Sequence, residues 1–114
     1  MRGQKDINTS VLIDLYGTML TQKQRSMLDM YFNLDYSLSE IAENTGISRQ
    51  GVLDNIKHGE AKLLELEATL GIKYKYEKTE SELDSIEKEL SGAPEKLKAR
   101  ILCCISKIRA VWED

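Results

Sequence analysis

Six polar side chains near the middle of the chain have the types and spacing needed to hydrogen-bond to the bases and phosphates of a nucleic acid. Arginine binds guanine, and glutamine binds adenine, through two hydrogen bonds each, so Arg49 and Gln50 are the candidate base-reading residues. Ser48 is suited to a phosphate contact at a helix N-terminus, or to capping that helix alone. The alternative for each candidate is a solvated polar side chain. The candidate binding residues are Ser48, Arg49, Gln50, Asp54, Lys57 and Lys62.

The segment that must hold these side chains is LSEIAENTGISRQGVLDNIK, residues 38–57. Ser37 and Glu40 form a capping-box pattern, which predicts the start of a short helix. Gly46 predicts the left-handed turn that ends it, and Val52 is placed to pack the next helix back onto the first. The spacing therefore predicts a helix-turn-helix, with an ordinary helical hairpin as the alternative.

Apolar periodicity predicts two further helices before this segment and a long helix that begins within it. The first runs from about residue 8 to 20, and the second begins after the capping residue Thr21 and ends near Asn33. The long helix begins after Ser48 and ends at Gly71. The stripe expected to face the core from the first helix is Val11, Leu12, Leu15, Tyr16, Met19 and Leu20.

Two glycines, Gly51 and Gly59, lie inside the predicted long helix, where glycine costs about 1 kcal/mol relative to alanine. They indicate close packing between helices or the close approach of a partner.

Two amphipathic helices are predicted after Gly71, the second with Pro94 at its first position. The fold class is therefore all-α: a helix-turn-helix domain over residues 1–71 and C-terminal amphipathic helices over residues 72–114 for dimerisation or partner binding. The stripe of the first C-terminal helix is Ile72, Tyr76, Leu83, Ile86 and Leu90. The wider apolar face expected on the last helix is Leu97, Ile101, Cys104, Ile105, Ile108 and Trp112.

Composition limits the function classes. The 114 residues carry a formal net charge of −3, which disfavours a histone-like coat or a polybasic membrane binder. Residues 1–71 alone hold seven Lys and Arg against ten Asp and Glu, which argues against tight non-specific DNA binding by a monomer. No apolar run is long enough for membrane insertion, and two adjacent thiols suit a reducing compartment, so we expect a cytoplasmic protein.

Catalytic and metal chemistry have little support in the sequence. Asp54 and His58 are one helical turn apart, but no nucleophile or phosphate-binding loop accompanies them. Adjacent cysteines rarely close a disulfide without strain, which disfavours a redox pair. Cys104 fits the apolar face of the last helix and is expected in the core, with Cys103 at the surface. We expect no enzyme, no metal and no cofactor.

The segment from Thr21 to Leu66, with LTQKQRSML followed by LSEIAENTGISRQGV, resembles region 4 of bacterial sigma factors. Residues 12–71 more closely resemble the YlxM family of helix-turn-helix proteins associated with the signal recognition particle operon. The resemblance implies a small cytosolic bacterial protein in that pathway, with regulatory nucleic-acid binding and no catalytic residues. By this resemblance, the residues that correspond to the helix-turn-helix positions of the family are Ala42, Gly46, Ser48, Arg49, Gln50 and Val52.

Three functional hypotheses follow. The first is a regulatory protein, acting as a homodimer, that binds DNA or RNA through the candidate residues. The second is an adaptor that docks on a component of the signal recognition particle through its C-terminal helices and does not bind DNA. The third is a sigma-like module that contacts RNA polymerase.

Overall fold

The computed structural model describes residues 7–113, and every regular element among them is helical, which confirms the all-α prediction. The α-helices are α1 Ile7–Tyr16, α2 Gln22–Leu28, α3 Leu38–Thr45, α4 Arg49–Leu70, α5 Ile72–Glu89 and α6 Glu95–Ala110. Helix α1 is followed by a 3-10 turn at Gly17–Met19, α2 by a π-helical turn at Asp29–Asn33, and α5 by a 3-10 turn at Leu90–Gly92. No helix within this described part combines the length and apolar character that crossing a membrane requires.

The helix ends are set by residues close to them in sequence, as predicted. Thr21 accepts a hydrogen bond from the backbone N–H of Gln24, whose side chain accepts one from Thr21 N–H in return. Ser37 and Glu40 form the same capping box before α3. Gly46 and Gly71 end α3 and α4 in the left-handed conformation, with φ of 73° and 62°. Each end satisfies backbone groups that a helix leaves unpaired.

The described residues fall into two compact units, one extending to Lys73 and one beginning at Tyr74. In the first unit, α4 packs against α1, α2 and α3. Its core differs from the expected stripe at three positions: Ile13 is buried, Val11 is only half-buried, and Met19 is 55% exposed. Met19 is exposed because α1 ends at Tyr16 and the 3-10 turn changes the direction of the side chains that follow. The buried cluster is Leu12, Ile13, Tyr16, Leu20, Met27, Leu28, Ile41, Val52, Ile56 and Leu63.

Gly59 allows α4 to approach α2 closely. A Cβ atom at this position would lie 2.7 Å from Cδ1 of Leu28, which is itself fully buried. Close helix packing, one of the two interpretations of the sequence, therefore explains this glycine.

A buried tyrosine links three helices at the end of the first unit. The Tyr16 hydroxyl donates a hydrogen bond to Oε1 of Glu67 (2.6 Å) and accepts one from the backbone N–H of Ile72 (3.0 Å). The same Glu67 oxygen accepts from the N–H of Lys73 (3.0 Å). These bonds satisfy two N–H groups at the start of α5, which have no partner within that helix. They tie α1 to the residues that follow α4.

In the second unit, α5 and α6 are joined by an ion-pair cluster and an apolar contact. Arg109 on α6 pairs with Glu80, Asp84 and Glu87 on α5. Among the described residues of this unit, the buried apolar side chains are Leu83, Leu90 and Ile105.

The expected wide core face of the last helix is only partly correct. Cys104 is exposed, and Leu97 and Ile108 are 49% and 44% exposed. Within this unit α6 packs against a single helix, so it buries one edge rather than a broad face. Trp112 packs edge-on against Tyr76, with ring centroids 5.3 Å apart, but remains 41% exposed. Helix α6 begins at Glu95, with Pro94 as the residue before it.

Candidate nucleic-acid interface

The turn between α3 and α4 is fixed by short hydrogen bonds. Thr45 Oγ1 donates to the carbonyl of Ile41 (2.8 Å) and accepts from the N–H of Ile47 (3.3 Å). Ser48 Oγ accepts from the N–H of Gly51 (3.0 Å) and so caps α4. A Cβ at Gly51 would lie 2.9 Å from Ile47, so this glycine accommodates the turn. The backbone that presents the first turns of α4 is therefore tightly held.

Helix α4 has a core face and a solvent face over its first half. Val52 and Ile56 are buried, and they pack with Ile41 of α3 in the core cluster. Gln50, Asp54 and Lys57 are exposed. Because these three residues are spaced by four and three, they lie along one stripe on the side away from the core. The structure thus brings together three of the six predicted residues.

A hydrogen bond within this stripe affects what it can bind. The Gln50 side-chain amide donates to Oδ1 of Asp54 (3.0 Å). Reading adenine needs both the donor and the acceptor of a glutamine amide, so Asp54 competes for the donor. Its carboxylate also repels phosphate. Within the stripe, Lys57 is the residue with a charge that attracts DNA.

The other three predicted residues lie outside the stripe. Arg49 is the first residue of α4 and is exposed, about 100° around the helix from Gln50. Ser48 caps the helix, which was one of the two roles predicted for it from the sequence. Lys62 follows Arg49 by thirteen residues, about 20 Å along the axis, and is turned about 140° from Lys57. Lys62 therefore cannot contact the same groove surface as Gln50.

Sequence reasoning left His58 out of the candidate set, although it is exposed and follows Asp54 by four residues. Helical spacing alone predicts that His58 lies next to the stripe. The sequence favours a surface or packing role for His58 over catalysis beside Asp54, and neither interpretation includes a nucleic acid.

An acidic depression lies on the α3 side of the helix-turn-helix. It has a volume of about 410 Å³ and is lined by Tyr36, Glu40, Glu43 and Asn44. The carboxylates of Glu40 and Glu43 would repel a phosphate backbone. A duplex that contacts α4 is therefore disfavoured from running along this part of α3.

Across residues 7–113 no group of three His, Cys, Asp or Glu side chains is arranged to hold a metal ion. Cys103 and Cys104 are both free thiols, and both are exposed.

The fold and the turn geometry define a helix-turn-helix protein. A family model described as "Putative helix-turn-helix protein, YlxM / p13 like" matches residues 3–101, and the chain belongs to this family, UPF0122. The match confirms the YlxM resemblance. It also extends beyond residue 71, where the sequence resemblance ended, through α5 and into α6.

Similar proteins carry the same family name. The chain is 51% identical over 72 residues to the UPF0122 protein of Acetivibrio thermocellus, an alignment that covers 63% of this chain and 62% of that protein. It is 41% identical over 88 residues to the protein of Listeria innocua, covering 77% and 80%. It is 39% identical over 101 residues to the protein of Geobacillus kaustophilus, covering 86% and 92%.

Proposed function

We propose that this protein is a regulatory, sequence-specific DNA-binding protein that inserts the first half of α4 into the major groove. The observation that carries the proposal is the exposed stripe Gln50, Asp54 and Lys57 on a helix whose opposite side is fixed in the core. Membership of a helix-turn-helix family supports it. In helix-turn-helix complexes, the N-terminal residues of the second helix contact base edges.

The roles of the individual residues follow from their positions. Arg49 and Gln50 read bases, because they occupy the first turn of α4. Lys57 contacts a phosphate, and Lys62, on another side of the helix, contacts a phosphate across the groove. The net negative charge of residues 1–71 weakens DNA binding by a single copy. The protein therefore binds as a homodimer, which presents two recognition helices and doubles the contacts.

The test is selection from a random duplex library, followed by fluorescence anisotropy with the selected site. Arg49→Ala should weaken binding to that site by 1–3 kcal/mol, about 5- to 150-fold, and relax the preference at one base position. Lys57→Ala should weaken all duplexes alike and reduce the salt slope by about 1. Lys88→Ala, an exposed lysine of α5, is the matched control. Binding that does not change with salt, or that is unaffected by Arg49→Ala, would contradict the proposal.

The second candidate is an adaptor that docks on a component of the signal recognition particle. The excess of carboxylates in residues 1–71 and the apolar side chains exposed on α6 favour it. A pulldown from a bacterial lysate separates the two candidates. DNA lost with Arg49→Ala supports the DNA-binding protein. Particle protein or RNA retained with Arg49→Ala, but lost on truncation after Gly71, supports the adaptor.

Neither candidate includes a catalytic step. Both act in the cytoplasm, which the two exposed free thiols favour because such thiols stay reduced there.

A further inference from the structure

The unit formed by α5 and α6 leaves much of its apolar surface uncovered. Its buried apolar side chains, within the described part, are Leu83, Leu90 and Ile105. Meanwhile Ile86, Leu97 and Ile108 are 42%, 49% and 44% exposed.

Four apolar residues of α6 and the residue that follows the helix have the spacing of a helix-packing seam. Leu97, Ile101, Cys104, Ile108 and Val111 are separated alternately by four and three residues. This alternation is the heptad pattern that packs one helix against another. Apart from the half-buried Ile101, the members of the seam are exposed. The seam is therefore available to a further helix.

Ile86 of α5 lies on the same side of this helix pair as the seam. Arg109 pairs with Glu87 across the two helices. Ile108 precedes Arg109 by one position, and Ile86 precedes Glu87 by one position, so each isoleucine is turned about 100° from a residue that faces the other helix. Because the two helices are antiparallel, this backward step turns both isoleucines towards the same side of the helix pair. Together the exposed residues form a two-helix apolar surface, here called the hairpin face: Ile86, Leu97, Ile101, Cys104 and Ile108.

The two edges of the hairpin face carry opposite charges. Glu82 and Glu89 lie four residues before and three after Ile86, so they border it on α5. Arg100 and Lys107 have the same relation to Cys104 on α6. All four side chains are exposed, and no ion pair joins any of them to another residue in 7–113. An acidic edge and a basic edge on one surface make that surface complementary to itself.

We propose that the hairpin face packs against the same face of a second copy of this chain, forming a four-helix bundle. The two-fold axis runs parallel to the helices, so that α5 of each copy lies over α6 of the other. This places Glu82 and Glu89 opposite Arg100 and Lys107 of the second copy. A two-fold axis across the helices would stack α6 on α6 and bring like charges together, which is unfavourable.

This arrangement rests on, and specifies, the homodimer of the proposed function. It does not require that the protein bind nucleic acid. Its test is therefore made without DNA or RNA, and either proposal can fail while the other holds.

The experiment measures the mass of the full-length chain by sedimentation equilibrium. The wild type should be a dimer. Ile108→Asp should be a monomer, because it places a charge in the apolar seam. Leu102→Asp, which alters an exposed leucine of α6 outside the hairpin face, should remain a dimer and is the matched control.

Charge variants test the order of the helices and remain informative if Ile108→Asp fails to fold. The double variant Arg100→Glu/Lys107→Glu should raise the dimer Kd more than about tenfold, and so should Glu82→Lys/Glu89→Lys. Each double variant gives both edges of the hairpin face the same charge, so that edges of like charge meet in the dimer. An equimolar mixture of the two variants should form a heterodimer.

Two results would overturn the inference. If Arg100→Glu/Lys107→Glu dimerises as tightly as the wild type, α5 does not lie over α6 of the second copy. If the wild type is a monomer, the face has another occupant; co-sedimentation of that monomer with vesicles containing phosphatidylserine would assign the face to an anionic membrane surface instead.

Discussion

At the scale of single residues, the sequence predicted candidate DNA-reading side chains, but not the relations between them. Arg49, Gln50, Asp54 and Lys57 all lie in the first half of α4 and are exposed, and their exposure follows from helical spacing. The hydrogen bond from Gln50 to Asp54 depends on side-chain rotamers, which spacing does not fix. That bond makes Asp54 an antagonist of binding in the proposed function, rather than a contact residue.

Removing the charge of Asp54 should strengthen DNA binding. Asp54→Asn should tighten binding to a duplex of random sequence about fivefold, because one repulsion at contact distance in water is worth about 1 kcal/mol. Asp54→Ala should do the same and also free the Gln50 amide. Fluorescence anisotropy at low salt measures both variants. Asp14→Asn, an exposed aspartate of α1, should have no comparable effect, and weaker binding by Asp54→Asn would show that the carboxylate contacts the nucleic acid favourably.

At the scale of helices, most boundaries were predictable because they depend on neighbouring residues. The capping boxes at Thr21 and Ser37, and the left-handed glycines Gly46 and Gly71, each act within about four residues. The π-helical turn at Asp29–Asn33 was not predicted, because its sequence continues a helical pattern and only packing distinguishes it.

The apolar stripes were the weaker guide at this scale. Periodicity shows which residues of a helix share a face, but not whether another element covers it. Met19 and Cys104 were therefore placed in the core by the sequence and are exposed in the structure. For the candidate interface, the same limit meant that Lys62 was grouped with residues on a different side of α4.

Gly59 provides a test of helix packing. Gly59→Ala should gain up to about 1 kcal/mol in helix propensity, but the added methyl group would meet Leu28, and overpacking costs about 1–3 kcal/mol. We expect a net loss of about 1 kcal/mol in the free energy of unfolding, measured with urea. In a Leu28→Val background, which makes room, the loss should shrink. A Gly59→Ala variant more stable than the wild type would show that Leu28 moves aside at no cost.

The ion-pair cluster of Arg109 should hold α5 and α6 together. Its hydrogen bond to Glu87 is the main reason that the pKa of Arg109 is raised, with further contributions from the charges of Glu80 and Glu87. Arg109→Met keeps the aliphatic stem but leaves three carboxylates without this partner. Amide hydrogen exchange should become faster in α5 and α6. Lys96→Met, an exposed cation of α6, is the control; equal protection in the two variants would mean that apolar contacts alone hold the helices.

At the scale of the whole molecule, the buried hydroxyl of Tyr16 links stability to pH. Burial, aided by the hydrogen bond to Glu67, raises the pKa of Tyr16 above its ordinary value of 10.0. The folded state therefore holds this proton more tightly than the unfolded state does. The resulting stability is fully present below pH 10 and is lost as the pH rises through the folded pKa.

Tyr16→Phe should separate the two effects of this hydroxyl. At neutral pH it should lower the free energy of unfolding by about 1–3 kcal/mol, because the N–H of Ile72 loses its partner. Above pH 10 the difference between wild type and variant should narrow. Chemical denaturation across this pH range measures both. A difference that stays constant would show that the pKa of Tyr16 is the same in the folded and unfolded states.

The hydrogen bonds of Tyr16 also bear on the order in which the chain folds. The capped helix ends need only nearby residues, so they can form while the chain is still being synthesised. The hydrogen bonds of Tyr16 instead need Glu67 and Ile72, which lie 51 and 56 positions later in the sequence. The hydrogen bonds from the N–H groups of Ile72 and Lys73 can form only after these two residues have left the ribosome. A fragment that stops at Leu70 would keep the helix-turn-helix sequence and the Tyr16–Glu67 pair, but it would lose the hydrogen bonds donated by the N–H groups of Ile72 and Lys73.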